Sequence, residues 1–189
     1  MGKILGIVGS PRRNGNTHML VEQVLAGVAA RGASGETLLL GDLTIRECDG
    51  CHACWAGKPC PKQDDMNEVY PRIAESSAIV FGTPVYWYGP TALMKAFLDR
   101  FCYFNCPENR KLVRGKAAAL VVPFEEQDPQ TAAILVAMFE RSFGYLEMDF
   151  VETLLAPGVT KPGEVRQQQD VMARARRLGE ELGQRAAAL

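Results

Sequence analysis

Four of the six cysteines in this 189-residue chain fall within thirteen residues: Cys48, Cys51, Cys54 and Cys60, spaced C-x2-C-x2-C-x5-C and followed at once by Pro61. Thiols this close can pair as disulfides, ligate zinc, or hold iron and sulfide. Three of them at every third residue converge on one small centre if the chain curls. Gly50, free to take positive φ, and the small Ala53 leave room for that curl. A rigid helix would not turn all four inward. The bacterial ferredoxin run, C-x2-C-x2-C-x3-C-P, shares the first two spacings and the final Cys-Pro, but the last gap here is two residues longer. Zinc fits less well, because structural zinc sites usually come as two separated C-x2-C knuckles. A disulfide needs an oxidising compartment, which nothing in the composition supports. His52 reads as a polar neighbour that tunes the site, since four thiols already suffice. Cys102 and Cys106, four apart, read as two small buried residues.

Two further stretches carry chemistry. Gly9–His18 (GSPRRNGNTH) follows an apolar run and leads into a helical pattern. Backbone N–H groups at a helix start, among small and hydroxyl residues, make an anion site. Ser10, Asn16 and Thr17 can donate to phosphate oxygens, and Arg12 can add charge. His18 is set either against that phosphate or facing solvent. No Lys stands before Thr17 as a Walker A loop requires, and G-x-G-x-x-G is absent, so a phosphate monoester fits better than a pyrophosphate or triphosphate. The bland alternative is a polar turn whose Asn and Thr cap the helix. Thr83–Pro90 (TPVYWYGP) holds Tyr86, Trp87 and Tyr88 between two prolines. A tight loop cannot hide three rings, and a flat aromatic ligand would stack on them. The alternative is a surface loop with one ring packed inward. Together the two loops point to flavin mononucleotide.

The elements that must position these loops follow from periodicity. Apolar runs at Lys3–Gly9, Thr37–Leu40, Ala78–Gly82, Ala117–Val122 and Met148–Leu155 read as strands. Helical spacing covers Asn16 to about Arg31, a helix opening at an Asp65/Glu68 capping box and kinking or restarting at Pro71, a long helix from Pro90 through Phe101, Pro129–Gly144, and a polar helix from Gly163 onward. Asp64 and Asp65 read mainly as caps. The alternation specifies an α/β sandwich with a parallel five-stranded sheet, forming a single domain over residues 1–189. Ligands in such sheets sit beyond the carboxyl ends of the strands, which directs attention to the loops after strands one, three and four. The cysteine segment is an insert after strand two on the same rim.

Composition excludes other classes. Net charge is −1 without blocks of like charge, which argues against nucleic-acid binding. No apolar run reaches bilayer length, and the segment up to Thr17 lacks the features of a signal peptide, so a cytoplasmic protein without membrane contact is expected. Gly2 lacks the Ser or Thr at residue six that myristoylation wants.

GSPRRNGNT, DDM and TPVYWYGPTALMKAFLDR, over roughly the first hundred residues, resemble the flavodoxin-like NAD(P)H-dependent FMN reductase superfamily. The resemblance implies a flavodoxin-like fold with strand order 2-1-3-4-5, FMN as cofactor, NAD(P)H as a substrate, and a homodimer or homotetramer. Ser10, Arg12, Asn16 and Thr17 would hold the FMN phosphate, and Pro84, Val85, Tyr86, Trp87 and Gly89 would line the isoalloxazine. Many relatives carry a Gly-rich, flavin-touching loop after strand four. Here that loop is the acidic Pro123–Thr131, whose Glu125 and Glu126 read as a solvated face. The cysteine spacing resembles the iron–sulfur flavoproteins of this superfamily, which implies a [4Fe–4S] cluster on Cys48, Cys51, Cys54 and Cys60. The expected function is electron transfer between FMN and that cluster, with a small-molecule or protein donor and acceptor and no side chain as catalytic acid or base. The alternatives are a clusterless NAD(P)H-dependent FMN or quinone oxidoreductase and a non-enzymatic zinc- or flavin-binding sensor.

Overall fold

A computed structural model describes residues 2–187. Five parallel strands, β1 (Lys3–Val8), β2 (Ser34–Leu39), β3 (Ala78–Gly82), β4 (Ala117–Pro123) and β5 (Asp149–Ala156), pair in the order β2-β1-β3-β4-β5. The parallel sheet is the one that the alternation implies, and its order is the flavodoxin-like one that the resemblance implies. The central strands are apolar throughout because both faces are covered. On β1 and β3, Leu5, Ile7, Ile79 and Phe81 face one core, while Ile4, Val8, Ala78 and Val80 face the other. The first core is closed by α2 (Met66–Glu75), α3 (Ala92–Asp99), α4 (Cys102–Asn105) and α6 (Ala133–Tyr145). The second is closed by α1 (Asn16–Ala30) and α7 (Gln169–Ala187). A one-turn helix, α5 (Pro107–Arg110), follows α4. No helix among the described residues is long and apolar enough to cross a membrane.

Helices α1 and α7 press together closely. A Cβ on Gly179 would stand 1.8 Å from the Val24 carbonyl oxygen, and one on Gly27 would stand 2.1 Å from that of Arg176. This contact fixes where the chain must go after β5. It has to cross the rim from the β5 side back to α1.

Several boundaries differ from the sequence expectation. The helix expected from Pro90 begins at Ala92, because Thr91 caps it: the Met94 N–H donates to Thr91 Oγ1 at 3.1 Å. It stops at Asp99 and continues as α4 and α5, broken around Arg100 and Cys106. The Asp65/Glu68 capping box does not form. Asp65 Oδ2 accepts from the Thr44 N–H at 2.6 Å across a loop neck, and Asp64 Oδ1 takes the Met66 N–H at 3.2 Å. Helix α2 runs unbroken through Pro71, which is exposed and costs it one backbone hydrogen bond. The edge strand β2 starts at Ser34, paired with Lys3, in residues too polar for the apolar-run criterion. Short 3-10 turns, Pro129–Ala132 and Glu164–Gln167, precede α6 and α7.

Candidate functional site

A pocket opens at the carboxyl ends of the strands, where the first turn of α1 meets the loops after β3, β4 and β5. Ser10, Arg12, Asn16 and Thr17 line one wall; Pro84, Val85 and Tyr86 line another. Thr17 is 2% exposed, and its methyl lies 2.9 Å from where a Cβ on Gly82 would fall, so its position is set by close approach of α1 to the end of β3. Ser10 is held in a tight turn, its Oγ accepting the Arg12 N–H at 3.2 Å. The first turn of α1 carries no acidic residue, and a helix start leaves its N–H groups without intrahelical partners. This wall is a donor-rich, electropositive cradle, and the facing wall is apolar. The pair fits a phosphate monoester joined to a flat ring system.

Two of the four cradle residues also make a second set of contacts. Arg12 Nη1 donates to the Thr160 carbonyl at 3.1 Å. Asn16 Nδ2 donates to the Lys161 carbonyl at 3.0 Å, and Asn16 Oδ1 accepts the Val165 N–H at 3.2 Å. Both side chains therefore hold the β5–α7 loop against the pocket. The loop contributes Val159, Thr160 and Pro162 to the lining, β4 contributes its last residue, Pro123, and the loop after it contributes Phe124 and Glu125. The β5–α7 residues escaped sequence reading because their composition is bland. The available signal was topological: a last helix that covers α1 must be reached across this rim. Glu125 is exposed, but it stands at the pocket edge.

The structure separates other candidates from the pocket. His18 turns away from it. Its Nδ1 accepts the Asn14 N–H at 3.2 Å, and its Nε2 lies 3.5 Å from Glu22. Trp87 and Tyr88 form the tip of a two-residue hairpin turn, both with left-handed backbone (φ 49° and 62°), closed by reciprocal bonds between Tyr86 and Gly89 of 2.8 and 3.0 Å. Trp87 is 96% exposed. Of the three rings, only Tyr86 borders the pocket.

The cysteines occupy a separate place. Their loop leaves the sheet after β2 and is closed at its neck, where the Asp65 N–H donates to the Thr44 carbonyl at 3.1 Å and the Arg46 N–H to Asp64 Oδ2 at 3.1 Å. Gly50 (φ 68°), His52 (φ 55°) and Gly57 (φ 69°) are left-handed and curl the chain around a 3-10 turn at Ala53–Ala56. The curl inferred from Gly50 is thus present. Cys48, Cys51, Cys54 and Cys60 all line one hollow, and Cys102 of α4 lines it too. Cys106 is buried as expected, whereas Cys102 is a fifth thiol of the hollow. The hollow is backed by Arg100, whose side chain and that of Asp64 are each 1% exposed and lie 2.6 Å apart.

Among the described residues, no three His, Cys, Asp or Glu side chains already converge on a point that would hold a metal ion. The donor set still fits an iron–sulfur cluster in kind and number, since soft thiolates are its ligands and all four border one cavity. Burial, and then the neighbouring Cys102 and Cys106 thiols, push the Cys54 thiol up to about 11. Cluster uptake must therefore displace a proton from it. Burial alone would raise the Asp64 carboxyl, but the hydrogen bonds from Arg100 and the Arg46 N–H outweigh it and hold the group below the usual carboxylate range.

Residues 2–148 match the family described as NADPH-dependent FMN reductase. An iron–sulfur flavoprotein of Methanocaldococcus jannaschii is 39% identical over 98 residues, 52% of this chain and 51% of that protein. An iron–sulfur flavoprotein of Archaeoglobus fulgidus is 30% identical over 164 residues, 87% of this chain and 81% of that one. The chain thus spans about half the length of the first of these relatives and most of the second. The fold matches that of an NAD(P)H:quinone oxidoreductase from Methanothermobacter marburgensis with a TM-score of 0.76 at 20% identity, covering 96% of this chain and 98% of the other. The chain belongs to the NADPH-dependent FMN reductase family, in its iron–sulfur flavoprotein branch.

Proposed function

We propose that the chain is a single-domain, FMN-dependent oxidoreductase that also holds a [4Fe–4S] cluster. The observation that carries this reading is the pairing of a phosphate-and-ring pocket on the strand rim with a thiol-lined hollow, bordered by all four clustered cysteines, one helix away. FMN supplies one- and two-electron chemistry when bound, and the cluster supplies single-electron transfer.

The residues of the chain bind, orient and screen. Ser10 and Thr17, with the N–H groups of the first turn of α1, hold the FMN phosphate; Arg12 adds positive charge while it ties down Thr160. Asn16 secures the β5–α7 loop that walls the pocket. Pro84, Val85 and Tyr86, with Phe124, give the ring system an apolar lining. Cys48, Cys51, Cys54 and Cys60 are the proposed cluster ligands. No side chain is assigned as a catalytic acid or base. NAD(P)H is the proposed reductant, and the assembly is read as a homodimer or homotetramer.

A second reading, a clusterless FMN or quinone oxidoreductase, is favoured by the thiols' lack of convergence among the described residues. Anaerobic purification and reconstitution, followed by flavin, iron, labile-sulfide and zinc assays, separates the two. The leading reading predicts bound FMN with about four iron atoms per chain. Flavin without iron after reconstitution would establish the clusterless enzyme, and zinc in place of iron would defeat the cluster assignment.

A further inference from the structure

A guanidinium removed from water is costly to keep and needs a reason. The Arg100 side chain is 1% exposed at the break between α3 and α4. Asp64 supplies the opposite charge: Arg100 Nη1 donates to Asp64 Oδ2 at 2.6 Å and to the Arg46 carbonyl at 2.9 Å. Those two partners sit on either side of the cysteine loop's neck, so Nη1 alone accounts for a structural clamp. The other nitrogen does something a clamp does not require. Arg100 Nη2 donates to the Cys60 sulfur at 3.3 Å. A neutral thiol is a weak acceptor, whereas a thiolate or a metal-bound thiolate is a strong one.

The surrounding charges sharpen the point. Besides Arg100, the hollow is lined by Lys62 and Asp49, which pair with each other at 3.1 Å, while Asp64 stands behind Arg100. Before anything binds, Asp64 is shared by Arg100 and by Arg46, whose Nε lies 3.8 Å away, and Asp49 answers Lys62, so the surroundings carry a slight excess of positive charge. A cluster held by four thiolates adds net negative charge, and more when reduced. Arg100 is the buried cation in direct contact with one of those sulfurs.

We propose that Arg100 is a positioning and potential-setting residue of the cysteine hollow: it holds the Cys60 sulfur in place and stabilises the negative charge that the bound cluster places there. The inference rests on the cluster reading above. A fixed cation and an N–H donor on a ligand sulfur favour the reduced state, and therefore raise the cluster's reduction potential.

The test is an EPR-monitored redox titration of the anaerobically reconstituted protein, with the flavin potential read in the same sample. Arg100→Lys keeps the charge beside Asp64, but one ammonium cannot reproduce the two-pronged reach to Asp64 and Cys60. Because removing Arg100 alone would strand a buried carboxylate, the charge-balanced double variant Arg100→Met with Asp64→Asn serves as the second probe. The expected result is full iron loading in both, a cluster potential shifted negative in Arg100→Lys and further in the double variant, and an unchanged flavin potential. An unmoved cluster potential in both loaded variants would reduce Arg100 to a clamp and overturn the inference while leaving the cluster reading intact. A wild-type protein that takes up no iron would overturn both.

Discussion

The two sites lie at opposite ends of α3 and are built by opposite means. At its start, Thr91 ties the helix to the pocket: its hydroxyl donates to the Gly9 carbonyl, and its N–H donates to Thr83 Oγ1 at 3.2 Å. At its end, Arg100 and Cys102 reach the cysteine hollow. Eight helical residues, a rise of about 12 Å, separate them. The pocket is made of short βα connections whose backbones are fixed by the sheet. The hollow is made of a loop with one short turn, fixed mainly by its neck and one buried ion pair. Binding at the pocket therefore needs little reorganisation. Binding at the hollow requires thiols to lose protons and draw together, which makes it sensitive to changes in the loop.

The strongest perturbation should be at the hollow. Cys51→Ser should abolish iron retention after reconstitution, as measured by iron and labile-sulfide assay; unchanged iron content would remove Cys51 from the ligand set. Next comes the pair that holds the loop. Asp64→Asn leaves the Arg100 charge buried without its partner and should destabilise the fold by about 3–5 kcal/mol in urea unfolding at neutral pH. The pH dependence has a definite sign. Because the folded carboxyl is held below its ordinary range, its contribution is present above that range and is lost as pH falls through the lowered value. Wild type should thus lose stability on acidification more steeply than Asp64→Asn. Equal slopes would show that the pair contributes nothing.

Effects at the pocket should be smaller. Thr17→Val keeps the methyl against Gly82 and removes one hydroxyl, so FMN affinity should fall roughly ten- to a hundredfold, the worth of one hydrogen bond to a charged group of about 1.5–3 kcal/mol. Unaltered affinity by flavin fluorescence would take Thr17 out of the phosphate cradle. Smallest of all is Trp87→Ala at the exposed hairpin tip. Stability should change by no more than about 0.5 kcal/mol, with FMN affinity nearly unchanged. A large loss of FMN would mean that the tip folds over the bound flavin.

The same contrast governs what could be read from sequence. Strands β1, β3 and β4 and the loops that follow them announce themselves through apolar runs ending in Gly or Pro, so Ser10, Thr17 and Pro84–Tyr86 were legible. Composition cannot say which way a ring points, and Trp87 and Tyr88 turn outward because a two-residue turn leaves them at its tip. The β5–α7 loop was invisible because its place follows from α7 packing on α1. Asp64 reads locally as a cap and Arg100 as a charged helix end. Only their meeting across 36 residues shows them to be the buried support of the cysteine loop. Cys102 reads as an ordinary small buried residue for the same reason, since nothing near it in sequence points to the hollow.

The independence of the two sites is tested most directly by crossed measurements: FMN affinity of the iron-free Cys51→Ser protein, and iron content of Thr17→Val. The account predicts wild-type FMN binding in the first and about four iron atoms per chain in the second. Loss of both cofactors in each variant would contradict it, and would mean that pocket and hollow form one coupled site.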